Sequence, residues 1–483
     1  MLRPWDLKIV LDREAAQPAY LQIVHALMEG IKAGRLAPGG ALPGTRELGR
    51  ELGVNRKTVQ QAYEELLAQG WLTSEAKRGT FVSAALPLVD ISPPPQAGED
   101  VPGFDLGGAA PALDWISHPP GTLVFDDGAP DTRLFPAALV ARAWRRALLH
   151  GAHHNQLGYG DPRGTPRLRE AVAAMLNADR GLNVTAANIC ITRGSQMGLW
   201  LAARLLAPEG EAVAFERLSY PPAREAFRAM GAEILAVALD EHGLVPESLE
   251  AACQARRIRA VYVTPHHQFP TTVTMPPERR IKLLALSEQY GFVIIEDDYD
   301  HEFHFSHRPV LPLASAQNWQ RLLYIGSLSK LLAPSLRLGY LVGAERAISR
   351  AGKEIMTLDR QGDSVTEIAV AELMEEGVVK SHARRMLRIY EARRDTLAQA
   401  LRQQLGPRIS LNIPQGGLAL WVEFQPGLNF ASPGLAAKKV ALTPGQIFST
   451  DGSAVQGARL GYGSLNDAEL GEAVNRMAAG VPA

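Results

Sequence analysis

Cysteine is nearly missing from this chain, with two in 483 residues. Cys190 and Cys253 lie far apart and lack the spacing of a metal or redox pair, which fits a cytoplasmic, disulfide-free protein. An excess of one charge is missing too: 50 Lys and Arg against 51 Asp and Glu leave a net charge of −1. Global charge therefore predicts neither nucleic-acid nor membrane binding, and any such site must be local. No uninterrupted apolar run reaches the roughly 20 residues needed to span a bilayer. Met1 to Asp12 carries charges through its apolar residues, unlike a signal peptide. No internal repeat is visible. What is present is core-forming material, 46% apolar residues, and a length suited to about three domains.

Residues 1–83 read as a compact helical module with a wing. Leu21, Val24, Leu27, Met28 and Ile31 recur at helical spacing between Ala19 and Ile31, and Ala37-Pro38-Gly39-Gly40 then breaks the chain. A short helix is expected from Thr45, as its N-cap, through Leu48 to Leu52, ending at Gly53. Asn55 caps the next helix, Arg56 to Leu67, with Val54, Val59, Tyr63 and Leu66 facing inward. Two helices joined by so tight a Gly-containing turn form a helix-turn-helix.

The residues at the start of that second helix favour DNA over a generic hairpin of helices. Arg56, Lys57, Thr58 and Gln60 occupy the end that enters the major groove in this arrangement. Free N–H groups there also attract phosphate. Arg46, at the start of the preceding helix, is placed to touch the DNA backbone. Thr73 to Val82 reads as two short strands around a tip, Glu75-Ala76-Lys77-Arg78-Gly79, where Lys77, Arg78 and Gly79 suit a phosphate or minor-groove contact. Each charge alone could sit on a solvated face; the whole arrangement is poorly explained that way.

Residues 84–120 are rich in proline and glycine, including Pro93-Pro94-Pro95, Gly107-Gly108 and Pro119-Pro120. Such composition gives a semi-extended linker, too long for an ordinary loop within one domain.

From residue 121 to 483, short apolar runs alternate with helical patterns. Candidate strands are 189–192, 212–215, 233–237, 260–264, 292–296, 322–325 and 338–342. Near-continuous Val, Ile and Leu runs between helices indicate a seven-stranded, mainly parallel sheet covered on both faces. Ligands gather at the carboxyl ends of such strands. Polar residues cluster there. Gly194-Ser195-Gln196 opens a helix, where free N–H groups can cradle a phosphate. Glu296-Asp297-Asp298-Tyr299-Asp300 packs four acids beside a core strand and demands a counter-charge, from a protonated ring, a metal or solvent.

Gly326-Ser327-Leu328-Ser329-Lys330 follows a buried strand, with Arg337 seven residues further on. A desolvated lysine becomes a nucleophile able to form a Schiff base with an aldehyde. Ser-x-Ser-Lys alone reads more readily as a solvated surface loop; its neighbours decide otherwise. Together Lys330, Ser195, Ser327, Arg337 and Asp297 form the parts of one cofactor site. His153-His154 and His266-His267 invite a metal, but no acidic or cysteine ligands accompany them at a useful spacing, so no metal is assigned.

Two family resemblances follow from these residues. Residues 18–83 resemble the winged helix-turn-helix of GntR-type bacterial regulators, through Gly34-Arg35-Leu36-Ala37-Pro38-Gly39, Leu42-Pro43-Gly44-Thr45-Arg46-Glu47-Leu48, Asn55-Arg56-Lys57-Thr58-Val59 and Gly79-Thr80-Phe81-Val82. The wing tip departs from that family, with Lys77-Arg78 where a glycine and a small residue are usual. Residues 121–483 resemble the fold-type I pyridoxal-phosphate enzymes of the aminotransferase branch, with a small C-terminal subdomain from about 353. That resemblance implies that Lys330 forms the Schiff base with pyridoxal 5'-phosphate, Asp297 pairs with the ring nitrogen and Tyr299 bonds the ring hydroxyl. Gly194, Ser195, Gln196, Ser327 and Arg337 would hold the phosphate. It also implies that Tyr220 lies near the ring, that Tyr159 in Gly158-Tyr159-Gly160 reaches a partner subunit's phosphate, and that Arg459 clamps an amino acid's carboxylate. One departure is at Pro265-His266-His267-Gln268-Phe269-Pro270-Thr271-Thr272. There the aminotransferases carry Asn-Pro-x-Gly, and His267 or Gln268 is the candidate substitute for the Asn.

The fusion resembles the MocR regulators along nearly the whole chain. It implies a homodimer, domain-swapped by family precedent, that binds double-stranded operator DNA. It further implies sensing of pyridoxal phosphate, or of an amine or amino acid that condenses with it, in control of vitamin B6 or amine metabolism. Three readings stay open on sequence. The favoured one is a sensor without sustained turnover, in which a residual half-reaction is not decided. The others are a working aminotransferase with a DNA-binding module, and a repressor whose large domain is cofactor-free and dimerising.

Overall fold

A computed structural model of the chain describes residues 8–76, 78–86, 117–305, 310–316, 319–425 and 433–480. Most of the 84–120 linker, and Lys77, lie outside the described residues. The chain divides into two compact units, Met1–Gly108 and Ala109–Ala483.

In the first unit, helices Ala19–Lys32, Thr45–Glu51 and Arg56–Ala68 close around Ile23, Leu27, Leu48, Val59, Tyr63 and Leu66. Burying this single apolar stripe is what makes three short helices stable together. Asn55 caps the third helix, its side chain accepting from the Lys57 N–H at 2.9 Å. The second helix differs from the expectation at its start: Gly44 is the N-cap and Thr45 already lies inside the helix. The Thr45 hydroxyl is instead within 3.4 Å of Arg56 Nε. Gly49 has a packing role, since a Cβ there would stand 3.2 Å from the Val54 carbonyl where the two helices meet. The wing pairs Leu72–Glu75 with Gly79–Val82, Glu75 opposite Gly79. Beyond the chain break read at Ala37-Pro38-Gly39-Gly40, Gly40 and Leu42 lie along the wing's second strand, with Leu42 N–H bonded to Thr80 O and Val82 N–H to Gly40 O.

The second unit is built on a seven-stranded sheet. Its strands run across the sheet in the order Ile189–Thr192, Gly339–Val342, Leu322–Ser327, Val293–Asp298, Ala260–Val263, Ala212–Glu216 and Glu233–Val237. All neighbours pair in parallel except Gly339–Val342, which is antiparallel to both strands beside it. Alternate residues face opposite sides. Val261, Val263, Ile294 and Tyr324 meet helices including Pro166–Arg180 and Ser364–Glu375 on one side. Tyr262, Ile295, Leu323 and Ile325 meet helix Gly194–Leu206 and its neighbours on the other.

A second sheet orders Ile409–Leu411, Ala419–Phe424, Gly457–Gly461, Val440–Pro444 and Leu123–Phe125. It packs against helices Val378–Leu405 and Asp467–Gly480. Its last strand comes from the start of the unit, running parallel to Val440–Leu442. The residues that follow this strand, Asp126 to Gly128, are thereby delivered to the pocket described next.

Candidate functional site

The carboxyl ends of the central strands converge on a pocket lined by Asp127, Ser195, Tyr220, Tyr262, Phe269, Asp297, Tyr299 and Lys330. Five of these were expected from the sequence, Ser195, Tyr220, Asp297, Tyr299 and Lys330. Asp127, Tyr262 and Phe269 were not.

Lys330 is half-buried and its Nζ donates to the Gly128 carbonyl at 2.8 Å, with Asp127 Oδ1 at 3.9 Å. Gly128 is held in place by Asp126, whose Oδ1 accepts from the N–H groups of Gly128 and Ala129. Asp297 is buried. Its Oδ2 accepts from Tyr262 Oη at 2.8 Å, while Oδ1 has no partner among the described residues. Burial pushes the Asp297 carboxyl up to about 7, against the opposing pull of the Tyr262 hydroxyl and Lys330.

The four acids of the 296–300 segment resolve into four separate arrangements. Glu296 accepts from the N–H groups of Leu313 and Ala314, each at 2.8 Å. Asp298 meets Arg180 at 2.5 Å and the Tyr324 hydroxyl at 2.7 Å. Burial alone would raise Asp298, but Arg180 and the neighbouring His301 and His266 hold it well below the usual range. Asp300 pairs with His267 Nδ1 at 2.7 Å. Of these four acids, Asp297 is the one that lines the pocket, where Asp127 is the other carboxylate.

Beside the pocket, Gly194 adopts a positive φ of 73° at the start of helix Gly194–Leu206. A Cβ there would stand 2.9 Å from Arg337 Nη2. Arg337 is exposed, with φ 50°, and donates to the Arg193 carbonyl at 2.9 Å. Ser327 is buried and accepts from the Ser329 N–H at 3.1 Å. Gly339 packs so closely that a Cβ would meet Gly194 C at 2.8 Å and Ser195 N at 3.0 Å. Free helix N–H groups, a guanidinium and hydroxyls thus gather at one corner, a combination that suits an anion. The Gln196 amide donates to Pro222 O at 3.1 Å, away from that corner.

Arg459 is fully buried on strand Gly457–Gly461 and forms part of the wall behind the pocket. It donates to Asp127 O at 2.8 Å, Pro270 O at 2.9 Å and Tyr299 Oη at 3.3 Å. Its guanidinium lies 4.4 Å from the Phe269 ring centroid. None of these partners is an anion, an unusual setting for a buried arginine. Tyr159 is not brought into the pocket; it is 79% exposed, beneath Arg360 at 4.7 Å.

The segment 265–272 corrects one expectation. Neither His267 nor Gln268 lines the pocket. The Gln268 amide is occupied by Glu216, Leu218 O and Phe269 O. Pro270 occupies the proline of the Asn-Pro-x-Gly pattern, so the pocket residue before it is Phe269, which lacks a hydrogen-bonding side chain. Thr272, in place of the pattern's glycine, keeps a positive φ of 64°. Tyr262 was missed because it sits inside an apolar strand run, where a tyrosine reads as core. Folding also places His304 beside His266 and His267, one ring nitrogen of each within 4.8 Å of the others.

On the winged helix, Arg46, Arg56, Lys57, Gln60, Arg78 and Gly79 are exposed and Thr58 is half-buried. Gln60 is tied to Glu64 at 2.9 Å. Arg78, expected at a phosphate or minor-groove contact, is ion-paired to Glu75 and lies 5.7 Å from the Phe81 ring.

Residues 125–477 match the family of class I and II aminotransferases, and residues 19–82 match the gntR family of bacterial regulatory proteins. The chain is 30% identical over 475 residues to the probable rhizopine catabolism regulatory protein MocR of Rhizobium meliloti, covering 97% of this chain and 95% of that protein. It is 32% identical to the HTH-type transcriptional regulator TauR of Rhodobacter capsulatus, covering 93% and 94%. Among solved structures, the alpha-aminoadipate aminotransferase LysN of Thermus thermophilus superposes with a TM-score of 0.70 at 29% identity, covering 75% of this chain and 92% of that one.

Proposed function

The chain belongs to the MocR-type transcriptional regulators, a GntR helix-turn-helix joined to an aminotransferase class I and II domain, and from that premise we propose that it is a cytoplasmic operator-binding regulator that takes up pyridoxal phosphate and responds to an amine bearing a carboxylate. One observation carries this reading. A primary amine, Lys330 Nζ, and a buried carboxylate oxygen without a partner among the described residues, Asp297 Oδ1, belong to side chains that line the same pocket.

These residues fit the cofactor. When bound, pyridoxal phosphate supplies an aldehyde that condenses with primary amines and a pyridine ring that draws electrons. Lys330 would hold the aldehyde end. Asp297 Oδ1 would accept a ring N–H, and Tyr262 fixes the carboxylate's orientation through its other oxygen. Gly194, Ser195, Ser327 and Arg337 would hold the phosphate, with Gln196 contributing through its place in the helix's first turn. Tyr299 would bond the ring hydroxyl and Tyr220 would lie against the ring.

Arg459 would bind the effector's carboxylate. It now spends its donors on Asp127 O, Pro270 O and Tyr299 Oη, so an incoming carboxylate must displace neutral acceptors. Those acceptors stand on segments from both sheets, and their release gives the effector a way to change the packing of the large unit. Differential contact of this kind is what a ligand needs to shift a population. A symmetric homodimer would turn such a shift into altered spacing of two helix-turn-helix modules on operator half-sites. The long 84–120 linker and the exposed Tyr159 support that dimer and its domain-swapped form. Arg46, Arg56, Lys57, Thr58, Gln60, Lys77, Arg78 and Gly79 would contact the DNA.

Phe269 favours sensing over turnover. It offers no hydrogen bond at a position where aminotransferases carry asparagine. Titrating pyridoxal phosphate, then candidate amino acids and amines, into an operator-binding assay tests the proposal. The expected result is a cofactor absorbance band that Lys330→Ala abolishes, and an amine-dependent change in operator affinity. Sustained transamination with a keto-acid acceptor would replace this reading with an enzymatic one.

A further inference from the structure

His266, His267 and His304 form a cluster that the pocket chemistry does not use. One ring nitrogen from each lies within 4.8 Å of the other two. His266 and His267 are each 2% exposed. Neither ring nitrogen of His266, and not Nε2 of His267, has a hydrogen-bond partner among the described residues. Leaving three such atoms buried and unsatisfied is costly. Groups of this kind call for a partner that the described side chains do not provide.

His267 is further arranged as metal ligands usually are. Its Nδ1 is bonded to Asp300 at 2.7 Å, which orients the ring and leaves Nε2 as the free lone pair. Gly416 keeps that edge clear, since a Cβ there would stand 2.5 Å from His267 Nε2. His304 is brought in by a bridge to Gly416 and is half-buried, the least enclosed of the three. His266 and His267 rings meet edge to face at 4.4 Å, and His304 lies 5.2 and 6.0 Å from them.

We propose that His266, His267 and His304 bind one zinc-class divalent transition-metal ion, with Asp300 as the carboxylate that orients His267. Three neutral imidazoles select a borderline metal over the hard ions Mg2+ and Ca2+, which need oxygen ligands. Three protein ligands leave a fourth position of a tetrahedral site to water. Small side-chain rotations draw the nitrogens to metal-ligand distance. The His267 carbonyl accepts from Tyr299 Oη at 3.1 Å, so the ion would brace the segment carrying a pocket tyrosine.

The test uses full-length, tag-free protein stripped with a chelator. Zinc is added, excess is removed by desalting, and retained metal is counted. One zinc per chain is expected, undiminished by competing Mg2+, and Co2+ loaded in its place should give a visible d–d band. Asp300→Asn should weaken zinc binding about 10–100-fold. His266→Ala and His304→Ala should each abolish stoichiometric retention, and His304→Ala, at the solvent edge, decides the matter where His266→Ala fails to fold. His153→Ala, in the exposed histidine pair, should retain the metal fully. Failure of the wild-type chain to retain zinc, or retention unchanged in folded His304→Ala, overturns the assignment.

Discussion

Tyr262 donates its hydroxyl to Asp297 at 2.8 Å, from the neighbouring strand of the sheet. The bond leaves one Asp297 oxygen committed and the other facing the pocket. Without an external partner, this carboxylate is a burden on the fold. Its carboxyl is pushed up to about 7 by burial, against about 3.9 in an unfolded chain. The folded protein therefore binds this proton more tightly than the unfolded one. The stability it contributes is complete below about pH 4 and is lost as pH rises through about 7. Glu216, raised by burial to about 8, extends the loss in the same direction.

Asp297→Asn should accordingly stabilise the cofactor-free protein at pH 8, by on the order of 1–3 kcal/mol, and leave it nearly unchanged at pH 4. Affinity for pyridoxal phosphate should fall in the same variant. Urea unfolding at the two pH values measures the first effect. Equal stability of variant and parent at pH 8 would sink the idea.

Removing the Arg459 guanidinium should separate effector response from cofactor binding. Arg459→Ala leaves two backbone carbonyls without their donor, so a stability loss of about 1–3 kcal/mol is expected. The cofactor band should persist while any amino-acid effect on operator binding disappears. A normal response in the folded variant would count against the carboxylate role.

Gly194→Ala puts a methyl against Arg337 and forces alanine to a φ of 73°. A stability loss above about 1 kcal/mol is expected. The telling measurement compares pyridoxal phosphate with pyridoxal. The advantage of the phosphorylated form should shrink in the variant, and an unaltered ratio would remove Gly194 and Arg337 from the phosphate corner.

On the DNA-binding unit, Arg56→Ala should cost about 1–3 kcal/mol of operator affinity if the residue reads a base. Glu75→Gln should act oppositely, because it releases the Arg78 cation from its ion pair. Tighter binding with a steeper salt dependence is the expected readout. Weaker binding by Glu75→Gln would mean that the ion pair shapes the wing for contact.

Each sheet strand expected from apolar runs is present, because a buried strand writes itself into consecutive residues. The helix-turn-helix was legible for the same reason: Asn55, Gly53 and the apolar spacing are all local. What stayed hidden depends on residues far apart in the chain. Leu123–Phe125 joins a sheet made otherwise from residues 409–461. His304 reaches His266 through pairing with Gly416. Phe269 lines the pocket where His267 or Gln268 was expected, and nothing in the local spacing singles it out. Tyr262 differs again, since alternation on a doubly covered strand conceals which face a tyrosine takes.

The antiparallel strand Gly339–Val342 has a mechanical consequence. It begins where the strand before it ends, with Ser327 directly opposite Gly339. Residues 328–338, carrying both Lys330 and Arg337, therefore form a short loop whose two feet stand side by side. A parallel strand would have needed a crossover and would have delivered Arg337 to the opposite ends of the strands. Here the two ends of a bound cofactor would be gripped by one closed loop. A pull at Lys330 would then reach Arg337, like tension passed along a single hoop.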